Sequence, residues 1–291
     1  MSRAAVDILL NASGAPNTHP QASRALISRQ YFFAALVSIG FLNGISEKAY
    51  RSVADNGFAT AASLTFDISV ILWGACAVAL ITLVRAPGDP LRRGDYAIGL
   101  LACLTFLSPV PAMSWLGLCL IAIQLRSTAS DMIMRRTAAL VFALTIPLFW
   151  ARLIFAAFND TILHIDAQLV GWLIGTAATG NVVPFSDGSG SMFIAPGCSS
   201  MANLSLAAVS ATVFVNLRSG VWSASTLAWT ATSMIAVVAI NLTRIGLIGI
   251  YPQQFDLVHG PVGATVAGCL TLFAIVSIGY HRIGQDAPYD R

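Results

Sequence analysis

Charge is what this sequence has least of. Only 10% of its 291 residues are Asp, Glu, Lys or Arg, and Lys48 is the single lysine among 16 basic residues. A soluble domain carries roughly 25% charged residues, so a water-facing globular surface is excluded. With 56% hydrophobic residues and a mean hydropathy of +0.75, the composition is that of a membrane protein. The net charge of +3 is scattered through short loops, leaving no basic patch for nucleic acid. CxxC pairs and Cys/His clusters at zinc spacing are missing too, and neither a metal nor a cofactor is expected. Residues 1–30 hold Arg3, Asp7, Arg24 and Arg29 without a continuous apolar core. They do not read as a cleavable signal peptide, and the first apolar segment is expected to stay as an anchor. Repeats and low-complexity stretches are also lacking, which points to one domain.

What is present in quantity is apolar sequence. A membrane-crossing helix needs about 20 mostly apolar residues, and 61–84, 137–158, 221–243 and 261–280 meet that need. Residues 198–217 qualify with several small polar residues, and 31–46 are short but apolar. The stretch 96–125 is interrupted by Pro109 and Pro111, and charge decides how to divide it. Cytoplasmic loops collect Lys and Arg. Arg85, Arg92 and Arg93 precede the stretch, and Arg126, Arg135 and Arg136 follow it. Two short helices keep all six on one side, so two are expected.

The resulting expectation is an all-α polytopic membrane protein of about eight transmembrane helices with both termini cytoplasmic. A tail (1–30) leads to five helices (31–158), an extracytoplasmic segment (159–197), three further helices (198–280) and a second tail (281–291). Lys48, Arg51, Arg152 and Arg244 are the basic residues left on the outer side. From Leu153 to Leu217 there is no Lys or Arg at all, as an exported segment requires. Within it, 160–177 places Ile162, Ile165, Leu169, Trp172 and Leu173 at helical spacing, interrupted by Asp160, His164 and Asp166. That pattern suits an interfacial or re-entrant helix. Residues 182–196 then read as two short extended pieces around a Gly-Ser-Gly turn.

Of five cysteines, Cys76, Cys103, Cys119 and Cys269 lie inside apolar runs, where cysteine is a small buried hydrophobe. Cys198 differs: it sits among Pro196, Gly197, Ser199 and Ser200 where the sixth helix is expected to open. A helix N-terminus favours the thiolate, and its free N–H groups can hold an oxyanion. On the same outer face the topology puts Arg244, closing the seventh helix, and His259, in the loop before the eighth. Arg244 keeps its charge and can steady an anion, while His259 can give and take a proton near neutral pH. Asn241, three residues before Arg244, can orient the guanidinium or a substrate carbonyl, or bond another helix. Gly197, Ser199, Ser200 and His164 complete the supporting candidates, with Asp166 in reserve.

Three segments carry a family resemblance. APGCSSMANLSL (195–206) resembles the cysteine box of the exosortase/archaeosortase family, NLTRI (241–245) its N-x-x-R motif, and HGPVG (259–263) its histidine box. The likeness covers about 160–280; the first half matches only as apolar helices. It implies a membrane cysteine transpeptidase with Cys198, Arg244 and His259 as catalytic residues, in a bacterial inner membrane with the site outside. It further implies partners in that bilayer: tail-anchored proteins whose C-terminal sorting signal, of the Pro-Glu-Pro type, is cleaved and whose new C-terminus is transferred. Ser200 departs from the glycine usual in the family, which bears on substrate fit. Two other classes remain open from the residues. One is a transporter using Asp67 and Arg152; the other is a non-catalytic membrane assembly factor for export or exopolysaccharide.

Overall fold

The computed structural model describes residues 28–218 and 221–283. Most of the two expected cytoplasmic tails, including Arg3, Arg24 and Arg291, lies outside the described residues. Among the described residues the regular structure is helical apart from one hairpin. Its helices are α1 (Arg29–Asn56), α2 (Phe58–Ser63), α3 (Val70–Val84), α4 (Arg93–Phe106), α5 (Pro111–Ser127), α6 (Met132–Thr145), α7 (Ala151–Ile174), α8 (Met201–Arg218), α9 (Ala224–Ile250), α10 (Phe255–His259) and α11 (Pro261–Ile278). Strands β1 (Val182–Pro184) and β2 (Ser191–Phe193) separate α7 from α8.

Local chemistry sets many of the boundaries. Residues 96–125 form two helices, because Pro111 has no N–H to donate and takes the first position of α5, with Val110 extended before it. The Asp131 carboxylate accepts from the Met134 N–H at the head of α6, at 2.8 Å, and Ser223 caps α9 through Thr226. The segment expected to span at 61–84 is shorter. Its first part is α2 and a tight turn in which Thr65, Phe66 and Asp67 have φ of 53°, 57° and 56°. A left-handed run of three non-glycine residues, one of them β-branched, ends any continuous helix there.

Helix α6 runs into α7 through a π turn, Ile146–Trp150, that contains Pro147. Met132–Ile174 is therefore one 43-residue helical body. At 1.5 Å per residue it is about 65 Å long, against a hydrocarbon core of about 30 Å. It kinks at Phe158 (φ −130°, ψ 25°), and the helix expected over 160–177 is the arm of α7 beyond that kink. The arm ends at Gly175, whose φ of 76° allows the left-handed cap.

Four helical bodies are long and apolar enough to cross a membrane: Met132–Ile174, Pro196–Arg218, Ala224–Ile250 and Pro261–Arg282. Only 17% of the apolar window in the last is buried inside the protein, and Val266 and Phe273 point outward. Apolar surface on that scale belongs against lipid. The protein is a membrane protein.

Two packed regions matter for the site. Helices α1, α3, α4, α5 and α6 share one core around Phe33, Phe41, Trp115, Leu118 and Leu144. Close approach there needs glycine: a Cβ on Gly44 meets the Trp115 ring at 2.7 Å. At one end the core is closed by a fully buried ion pair, Arg29 Nε to Asp95 Oδ2 at 2.8 Å. Gln124 and the Arg92 N–H also donate to that carboxylate. The second region lies beneath the hairpin, where Leu163, Val170, Val183, Met192, Ile194, Ile245 and Ile248 pack together. Helix α8 bridges the two regions by contacting α3, α6 and α9.

Candidate active site

The hairpin decides where Cys198 goes. β1 and β2 pair antiparallel, with Val183 opposite Met192, and both of these side chains turn inward. The Phe185 N–H donates to Gly190 O at 2.9 Å, closing the turn, and the Ser186 N–H donates to Gly249 O on α9 at 3.0 Å. The Ser189 hydroxyl and N–H both lie on Asp187 and hold its carboxyl below the usual range. Anchored at both ends, the hairpin hands the chain to Pro196 at the top of α8.

Cys198 does not open α8. It ends a tight turn, Pro196–Cys198, after which Ser199 is extended (ψ 144°) and the α-helix begins at Met201. The amides around the cysteine are already engaged. The Ser200 N–H donates to Asp166 Oδ2 at 3.1 Å, and the Met201 N–H to Ser199 Oγ at 3.3 Å. The Cys198 and Ser199 amides are held within the turn by Ala195 O and Pro196 O. The amides from Cys198 to Met201 are therefore taken up by acceptors of the protein itself.

Asn241 clamps the loop from the other side. Its Nδ2 donates to Cys198 O at 2.8 Å and to Ser200 Oγ at 3.2 Å. It bonds the loop ahead of α8 and makes no hydrogen bond to Arg244 among the described residues. Asp166 on α7 and Asn241 on α9 thus hold Cys198 and Ser200 in a fixed conformation, and both are buried. Ser200 is the shared partner, through its N–H and its hydroxyl. A glycine there would keep only the first bond.

His259 ends the short helix α10 instead of lying in an open loop. Its Nε2 is 3.7 Å from Cys198 Sγ, within hydrogen-bond reach for sulfur. The ring is stacked on Phe255 with centroids 4.9 Å apart and planes within 9°, which fixes its orientation. Phe255 carried no motif in the sequence; only its spacing of four from His259 on a helix could have marked it. Arg244 lies inside α9, more than a turn before its end. Its Nε donates to Val258 O at 3.0 Å and its Nη2 to His259 O at 2.9 Å. A guanidinium on the last carbonyls of α10 is a favourable helix C-cap, and here it also fixes the histidine. Nη1 has no protein partner among the described residues.

Cys198, Asn241, Arg244, Phe255 and His259 line one cavity of about 220 Å³, walled by Met192, Ile245 and Ile248. Other candidates lie elsewhere. His164 is exposed, and its Nδ1 contacts Gly180 O at 3.0 Å. It secures the loop before β1 and does not line this cavity. Gly197 and Ser199 flank the cysteine but face a different, larger cavity. Chemically, the small cavity offers a half-buried thiol, a base in contact with it and a cation with one free N–H face, the components of nucleophilic acyl transfer.

No protein-family model, curated protein or solved structure matches the chain. The chemistry of the site therefore rests on its geometry.

Proposed function

We propose that the protein is a membrane-embedded cysteine transpeptidase of the exosortase kind, acting on the extracytoplasmic side of a bacterial inner membrane. The observation that carries this reading is the 3.7 Å contact between Cys198 Sγ and His259 Nε2, made by residues from distant segments on a cavity shared with Arg244. Eight spans, with α1, α3, α4 and α5 crossing beside the four longer bodies, place this cavity on the outer side. Charge supports that placement: Arg85, Arg92, Arg93, Arg126, Arg135 and Arg136 then lie inside. The resemblance of the three motifs points to the same chemistry.

The substrate is a protein held in the bilayer by a C-terminal helix, with a sorting signal just outside. His259 accepts the thiol proton, and the thiolate attacks the peptide carbonyl. Arg244, through Nη1, steadies the oxyanion. As the tetrahedral intermediate collapses, the C–N bond breaks and His259 returns its proton to the departing amine. An incoming amine, with His259 again as base, then displaces sulfur from the thioester and carries away the new C-terminus. Sharing one bilayer raises the effective concentration of enzyme and substrate, so modest recognition suffices.

The deciding experiment co-expresses wild-type protein or Cys198→Ala with a doubly tagged tail-anchored protein from the same genome. Loss of the C-terminal tag only with wild type, and a trapped thioester on Cys198, are the expected results. Processing that continues in Cys198→Ala overturns the nucleophile assignment. A thiol probe that labels Cys198 no faster than a buried cysteine at neutral pH favours the non-catalytic assembly factor.

A further inference from the structure

A cavity of about 780 Å³, larger than the one holding the cysteine, lies beside it. It lies across the Pro196–Ser199 turn from it, with Gly197 and Ser199 in its wall while Cys198 faces the smaller cavity. The turn is a partition one residue thick. Most of the larger cavity is apolar, lined by Leu72, Leu148, Phe155 and Leu206.

Its polar end carries two cations on different elements, with Asp67 beside them. Lys48 comes from α1 and Arg152 from the start of α7, directly after the π turn. Neither has a carboxylate within ion-pair distance, and Arg152 has no hydrogen-bond partner among the described residues. Lys48 has only the backbone carbonyl of Asp67, at 3.3 Å. Two like charges at one cavity repel one another. The Asp67 carbonyl comes from the left-handed turn Thr65–Asp67, and Arg152 is placed by the proline-containing π turn. Two costly local conformations thus hold two like charges at one cavity.

We propose that this cavity binds an anionic membrane phospholipid, its phosphate between Lys48 and Arg152 and a chain along the apolar wall. Phosphate suits the pair because its several acceptor oxygens can bond cations arriving from two directions. The apolar remainder of the cavity selects a chain-bearing ligand over a free anion. The site does not depend on the cysteine chemistry, although its ligand lies one turn away from Cys198.

Purified full-length protein in a neutral detergent is titrated with oleoyl lysophosphatidate, oleoyl lysophosphatidylcholine, oleate and inorganic phosphate, with binding read by native mass spectrometry. Lysophosphatidate should bind most tightly, and Lys48→Gln with Arg152→Gln should weaken it by about tenfold or more, the range for charge-assisted hydrogen bonds. Ala202→Leu, which narrows the apolar wall and leaves both charges, should weaken lysophosphatidate as well and leave inorganic phosphate unaffected. It carries the test if the double variant does not fold. Cys198→Ala and Arg51→Gln should bind as wild type does, which separates this result from that of the transpeptidase assay. Equal affinity for the choline lipid, oleate or free phosphate, or affinity unchanged in both cavity variants, overturns the proposal.

Discussion

At the residue scale, the cysteine environment separates groups that react from groups that position. His259 touches the sulfur, while Asn241 and Asp166 touch only the chain around it. His259→Gln is expected to slow substrate cleavage by about 10²–10⁴-fold, the usual contribution of general acid–base catalysis. A cleavage rate unchanged in that variant denies His259 the role of base. Asn241→Ala leaves the Cys198 carbonyl without its donor, a loss of about 1–3 kcal/mol. If Asn241 holds the loop, the alkylation rate of Cys198 changes; a side chain that merely packs would lower thermal stability and leave that rate alone.

At the scale of elements, the site depends on the hairpin being seated on α7 and α9. Gly249 permits this, because a Cβ there would come within 2.6 Å of Ile174 Cδ1 and 2.9 Å of Met192 Cε. Its carbonyl also receives the Ser186 N–H. Gly249→Leu should overpack this contact at a cost of about 1–3 kcal/mol, lift the hairpin and expose its turn. Limited proteolysis between Phe185 and Gly190 should accelerate, and cleavage activity should fall with it. Unchanged proteolysis means that the hairpin is held by other contacts.

For the whole molecule, the ion network at Arg29 and Asp95 is the main polar device in the core of the first half. Arg29, Gln124 and the Arg92 N–H all donate to the Asp95 carboxylate, so the buried charge is fully paired. Asp95→Ala strands a buried guanidinium and should cost about 3–5 kcal/mol. Thermal unfolding in detergent checks this, and an unchanged midpoint means that the pair does not hold this end of the core. The topology has its own test in a variant whose native cysteines are replaced. A membrane-impermeant thiol reagent added to intact cells should label Ser189→Cys and spare Ser127→Cys. The reverse pattern inverts the protein and moves the cavity inside.

Composition was enough to make this a membrane protein, since a chain so poor in charge has no means of covering itself in water. Pro111 and the flanking arginines were enough to divide 96–125 into two helices, because a missing N–H and a loop charge act locally. The three motifs also singled out Cys198, Arg244 and His259 as residues unlike their surroundings. Packing alone decided the rest. Whether the amides ahead of α8 were free depended on Asp166, a carboxylate from another helix. Arg244 became the cap of α10, and His164 a support for the loop before β1, because partners distant in sequence offered carbonyls at the right place. The two cations at the large cavity read in the sequence as exceptions to a charge rule. Only the fold, by bringing α1 and α7 to one cavity with no carboxylate at ion-pair distance from either, shows that they face the same space.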